Sequence, residues 1–316
     1  MNITVLLTEQ VIIFCIMMLC GFGLVKFKIL KSSDSKILSI ISVYIIIPCV
    51  IINAFQIQYS DEIRDGFLLA VIAAILIHII LFSLMRVTQI FFKFKFNFNF
   101  KSVETASIIY SNAGNLVIPL VMSVLGHDWV IYSSAFLAVQ TVLMWSHCLA
   151  VMSRTKLNLK NFIKIFTNLN LICVAIGLIL FFTGFKPHYI IAQTMSQLAG
   201  LIGPVSLIML GILLAGLNWH DFLRSRRLYL VIFFKMLLFP FIILLFLKFS
   251  GLASLVANGK IILLISLLAY LTPSATTITQ LALLYDNEPA YCGAINAFTT
   301  ITCLVTMPLL TAIYLY

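Results

Sequence analysis

Apolar runs of about 20 residues, each long enough to cross a hydrocarbon core as a helix, recur from residue 7 to the end of this chain. That feature restricts the fold more than any other. A backbone in lipid must satisfy its own hydrogen bonds, which helices and closed barrels do, and a barrel would read as short alternating strands instead. With 62% apolar and only 9% charged residues, the sequence predicts an all-α polytopic membrane protein with no soluble domain. Ten spans are expected, at roughly 7–27, 37–57, 66–92, 103–125, 129–152, 168–184, 191–217, 228–249, 260–285 and 290–315. The first is read as retained, because no charged stretch precedes it and no small-residue cleavage site follows.

Charge placement orients the spans. Lys26, Lys28, Lys31 and Lys36 follow span one, Lys93, Lys95 and Lys101 span three, Arg154, Lys156, Lys160 and Lys164 span five, and Arg224, Arg226 and Arg227 span seven. The opposite connections are short or acidic, with Lys186 a minor exception. The positive-inside rule makes the basic loops cytoplasmic and places both termini outside the cell membrane. The net charge of +10 is therefore a statement about orientation rather than about nucleic acid. The run FFKFKFNFNFK at Phe91–Lys101 could stack on a single strand, but aromatics and lysines at a span end are expected as interfacial anchors, so no nucleic-acid partner is expected. The basic stretch LNLKNFIKIF after span five reads equally as an amphipathic surface helix or as a plain linker.

Five spans per half require a second half inverted relative to the first. Gly23-Leu24 recurs as Gly177-Leu178, Pro48 as Pro204 and Pro119 as Pro273, at offsets of 154, 156 and 154. The spacing predicts repeats over 1–155 and 156–316, with chance spacing among eight prolines and fourteen glycines as the alternative.

Span four, Val103–Leu125, cannot cross the bilayer as one unbroken helix. Ser111, Asn112, Gly114, Asn115 and Pro119 compete for backbone hydrogen bonds, lower helicity or remove a donor. Span nine repeats the pattern at Thr272, Pro273, Ser274, Thr276, Thr277, Thr279 and Gln280. Either both spans are kinked helices whose hydroxyls bond back to their own carbonyls, or two half-helix pairs meet mid-membrane and present amides, hydroxyls and helix dipoles to a solute. No Asp or Glu lies mid-span, which argues against a carboxylate-coupled cation exchanger and favours an anionic solute. Lys235, two turns into span eight, either attracts that anion or snorkels to the interface. His78 and His147 read as packed neutral histidines, and Gln140, Asn53 and Asn296 as interhelical hydrogen-bonding residues. The seven cysteines lack metal-ligand spacing, no cofactor or metal is called for, and no catalytic motif points to an enzyme.

SNAGNLVIPL at Ser111–Leu120, LTPSATTITQLALLYDNEPAYCGAI at Leu271–Ile295, IIPCVIINAF at Ile46–Phe55 and GPVSLIMLGILLAG at Gly203–Gly216 resemble the auxin efflux carrier family, which includes bacterial malonate-type permeases and plant PIN proteins. Lys235 and Pro240 resemble the basic residue and proline of the family's eighth helix. The resemblance covers nearly the whole chain. It implies two inverted five-helix repeats, a scaffold and a transport domain, broken crossover helices four and nine, and alternating-access carriage of a small organic anion. It also makes Asn112 the substrate-contacting amide, although Ser111-Asn112 stands where the family often has Pro-Asn. The expected site is Asn112, Asn115 and Pro119 facing Thr272, Pro273, Ser274 and Thr276, with Lys235 nearby. Two other functions fit the same sequence: a sodium-coupled symporter of the bile-acid type, and a membrane sensor that binds without transporting. Outward Ile and Phe residues serve either lipid or a homodimer surface.

Overall fold

The computed structural model describes residues 3–56, 60–153, 169–216 and 224–316. The basic stretch after span five lies outside them. The described chain forms α1 (Ile3–Lys26), α2 (Ser32–Ala54), α3 (Asp61–Phe96), α4 (Ser102–Ile109), α5 (Ala113–Val124), α6 (His127–Ser153), α7 (Leu169–Thr183), α8 (Tyr189–Ala215), α9 (Arg226–Phe249), α10 (Gly259–Leu271), α11 (Thr276–Leu284) and α12 (Pro289–Leu315). Among the described residues, α2, α3, α6, α8, α9 and α12 are long and apolar enough to cross a bilayer. The apolar stretches Ile12–Lys26, α5, α7 and α10 are shorter. This is a polytopic helical membrane fold whose outer face exposes Ile16, Leu19, Ile79, Ile179, Ile190 and Val305.

Contacts between helix ends show that the chain runs back and forth between two ends of the bundle. At one end Lys101 meets Glu288, Arg227 meets Glu104, Asn287 donates to the Met152 carbonyl, and Gly216 abuts Ser32. At the other, Asn258 donates to Glu62, Asn53 pairs with His127, and Lys260 donates to the Leu315 carbonyl. The aromatic run after α3 belongs to the first end. Phe92, Phe98 and Phe100 pack edge to face, Phe92 and Phe100 also meet Phe234, and the Arg227 guanidinium lies 4.1 Å from the Phe98 ring centre. Phe94 and Phe96 of the same run remain exposed, as interfacial residues would.

Packing divides the helices into two groups. In one, α1 lies along α8, and α2 lies against α7 and α8. In the other, α3 packs on α6 and α10, while α12 packs on α9, α10 and α11. The groups meet where α5, α6 and α12 touch α1, α7 and α8. The α1–α8 crossing depends on glycine: a Cβ at Gly211 would run into the Met18 carbonyl, and one at Gly21 into the Ile208 carbonyl. Small residues of this kind let two backbones approach in lipid, where no hydrophobic force brings helices together. Gly211→Val is expected to spread the crossing and lower the thermal midpoint in detergent by several degrees. Gly200→Val, at a position with open space for a Cβ, is the control and should shift it little.

Candidate functional site

The site begins with two helices that stop in mid-bundle. At the end of α4, Tyr110 turns extended, at φ −99° and ψ 137°. At the end of α10, Thr272 does the same, at φ −65° and ψ 158°. The two extended segments lie antiparallel as a single β-bridge, with Ser111 opposite Ser274. Asn112 N donates to the Pro273 carbonyl at 2.8 Å, and Ala275 N donates to the Tyr110 carbonyl at 3.2 Å. Beyond the bridge the chain resumes as α5, whose first turn, Ala113–Val117, is π-helical, and as α11. Pro119 sits in the first turn of the regular α-helix that follows, where its missing N–H costs little. The interruption thus falls at 110–112, just before Asn115 and Pro119 rather than at them.

Every backbone group freed at the two serines finds a partner. The Gln140 side chain accepts from Ser111 N at 3.0 Å and donates to Ser111 O at 2.8 Å. For Ser274, Thr299 Oγ1 accepts from N at 3.2 Å and Asn296 donates to O at 2.6 Å. Tyr270 adds a hydroxyl bond to the Ile108 carbonyl at 3.0 Å. Buried non-helical backbone at membrane depth is tolerated on this condition. Gln140→Leu would leave two buried backbone groups unpaired, about 1–3 kcal/mol for each. Gln140→Leu is therefore expected to lower the thermal midpoint well beyond the effect of Gln140→Glu, which keeps the acceptor.

The side chains around the bridge make two separate sets of contacts. Lys235, completely buried, places Nζ 2.7 Å from Ser111 Oγ, 3.3 Å from the Tyr270 carbonyl and 4.0 Å from the Tyr270 ring centre. It does not snorkel. A π-helical turn at Phe234–Leu238 carries it. Ser111 supplies the hydroxyl that accepts from the Lys235 amine. In the second set, Asn112 Oδ1 accepts from Asn115 Nδ2 at 3.1 Å, and Ser206 of α8 reaches Asn115 Oδ1 at 3.5 Å. Asn112 Nδ2 is buried with no partner, as is Ser274 Oγ. Thr272 bonds back to the Ala269 carbonyl at 2.8 Å, so its hydroxyl serves its own helix. Thr276 begins α11 at the rim of the core, and Pro273 contributes its carbonyl to the bridge. A small apolar cleft lined by Met18, Leu116, Leu120, Cys303 and Met307 lies between α1, α5 and α12.

This arrangement can hold an anion with uncharged donors. The Asn112 amide offers a free N–H, and the first turn of α5 follows it directly. No cluster of three or more His, Cys, Asp or Glu side chains able to hold a metal occurs among the described residues. The center is closed: Asn112, Asn115, Ser206 and Ser274 are all buried.

A family model described as membrane transport protein matches residues 5–161 and 153–311, nearly the whole chain. The chain belongs to the membrane transport protein family. This is the auxin efflux carrier group to which its motifs pointed, and its class is that of a membrane transporter. No curated protein matches the chain significantly. For this membrane transport protein, sequence reasoning located both helix breaks but missed what closes them. Ser206, Thr299 and Tyr270 carried no signal beyond being polar or aromatic residues in apolar runs. Asn296 and Gln140 were legible as hydrogen-bonding residues but not as the groups that hold the two serines.

Proposed function

We propose that the chain is a secondary carrier that moves a small organic anion, such as a malonate-like or auxin-like carboxylate, across the cell membrane by alternating access. One observation carries this reading: the Asn112 amide, buried with a free donor, stands where two helix interruptions are bridged in the middle of a membrane bundle. An unpartnered buried donor is costly unless something arrives to accept from it. A carboxylate would take the Asn112 N–H, with Asn115, Ser206 and the start of α5 completing its surroundings, and it would meet no resident carboxylate.

The arrangement also supports ten spans in two inverted repeats, with α4–α5 and α10–α11 as the crossover spans. Each bridge serine is held by polar side chains of the last helix of its own half, α6 for Ser111 and α12 for Ser274. Likewise α3 packs on α6 and α10 as α9 packs on α12 and α4. The group containing the bridge would be the moving part, and α1, α2, α7 and α8 the scaffold. Basic residues gather at the end where Lys101 and Arg227 lie, which would place that end in the cytoplasm and both termini outside.

The test is solute-dependent current from protein in liposomes on a solid-supported membrane, over a panel of mono- and dicarboxylates with and without a sodium gradient. A current for at least one carboxylate without sodium, lost in Asn112→Ala, is expected. Current only with sodium would favour the bile-acid type of symport, and silence for every carboxylate would count against the anion carrier.

A further inference from the structure

Lys235 is a fully buried amine, and among the described residues no carboxylate pairs with it. The ion pairs among the described residues, Arg64 with Asp61 and Asp65, Lys101 with Glu288, and Arg227 with Glu104, are all at helix ends. The Lys235 ammonium instead sits among three neutral groups: the Ser111 hydroxyl, the Tyr270 carbonyl and the face of the Tyr270 ring. Each turns its negative side toward a cation. The carbonyl belongs to the last turn of α10, where the helix dipole is negative, and the ring presents its electron-rich face. These contacts suit an ammonium and carry no negative charge that would cancel it.

Position separates this residue from the anion site. Ser111 turns toward Lys235, whereas Asn112, its neighbour about 3.8 Å along the chain, turns toward Asn115 and Ser206. Lys235 and the Asn112 amide thus bond different partners at adjacent residues of the bridge. It belongs to α9, which packs on α4, α10 and α12, so it travels with the bridge.

We infer that Lys235 is a resident counter-charge: the carrier loaded with a monoanion crosses the membrane with no net charge at its center, and the empty carrier returns with one positive charge. This rests on the carrier reading above and adds to it the assignment of the voltage-sensitive step. The charge balance over a full cycle is one negative charge moved in the direction of the solute, as it would be without the lysine. What changes is the step that moves it. The loaded step is neutral, and the empty return responds to the membrane potential.

Exchange and net uptake separate these steps, because exchange uses loaded carriers in both directions and net uptake needs the empty return. Labelled propionate, pyruvate and phenylacetate would be followed in liposomes at 0 and −100 mV set by potassium and valinomycin. In the wild type, exchange should change by less than about twofold while net uptake changes severalfold, since one charge across 100 mV can shift a distribution by up to about 50-fold. In Lys235→Met the loaded step would move one negative charge, and exchange should become potential-dependent. Strong potential dependence of wild-type exchange would overturn the inference while leaving the carrier reading intact. Exchange by Lys235→Met as insensitive as that of the wild type would overturn it too. Should that variant fail to assemble, the wild-type comparison alone decides. If none of the carboxylates exchanges at either potential, the carrier reading falls and this inference with it.

Discussion

Asn112→Asp is expected to abolish carboxylate transport while the protein still assembles. The substitution is nearly isosteric, and it keeps the oxygen that accepts from Asn115 Nδ2. It removes Nδ2, which has no partner in the closed center, and so costs the empty protein no hydrogen bond. Toward a carboxylate the effect is large. A hydrogen bond to a charged group contributes about 1.5–3 kcal/mol, or roughly 10- to 150-fold in affinity, and Asn112→Ala should lose about that much. Asn112→Asp should lose more, because its own carboxylate would repel the solute and occupy the field of Lys235. Solute-dependent current and the thermal midpoint should be read together. An Asn112→Asp protein that still carried the same solute with unchanged affinity would remove Asn112 from the site.

The second large effect is on stability. Glu104 is fully buried near the end of the bundle that bears Lys101 and Arg227. It receives Arg227 Nε at 2.8 Å and Nη2 at 2.6 Å, the Tyr291 hydroxyl at 3.0 Å and the Lys101 backbone N–H at 2.7 Å. Arg227→Met removes the cation and strands the carboxylate. Breaking a buried pair from one side costs about 3–5 kcal/mol, and the 31% exposure of the Arg227 side chain puts the expectation at the lower end of that range. The neighbouring Lys101–Glu288 pair is a useful contrast, since its side chains are 41% and 39% exposed. Lys101→Ala should cost no more than about 1 kcal/mol. Thermal midpoints of the two variants in the same detergent decide the matter, and equal shifts would mean that Glu104 does not depend on Arg227. Because this cluster joins α4, α9 and α12, its loss should loosen the group of helices that carries the bridge.

These two effects differ in how far they could be read from the chain. Asn112 was visible because Ser, Asn, Gly and Pro crowded into an apolar run cannot remain one regular helix, and lipid offers the freed backbone nothing. The Glu104–Arg227 pair was not visible. Its members lie 123 positions apart, each near a span end where a charge is unremarkable. Lys235 was legible as a lysine within a span that either attracts an anion or snorkels to the interface. Its full burial and its contacts with Ser111 and Tyr270 remove the second reading, because snorkelling depends on what stands between the amine and the interface. Thr272 and Ser274 looked alike in sequence, yet Thr272 bonds back to its own helix while Ser274 keeps a free hydroxyl.

Composition and periodicity by themselves determined that this protein is a helical membrane bundle, because long uncharged apolar segments have no other stable arrangement in lipid. Residue chemistry determined that two of its spans must break near residues 111 and 273. The tertiary structure decided that the two breaks face each other, that Gln140, Asn296 and Thr299 satisfy them, and that Lys235 and the Asn112 amide meet different partners. Those outcomes depend on which helices pack together across more than a hundred residues, and such pairings arise from shape and close approach, which no local pattern encodes.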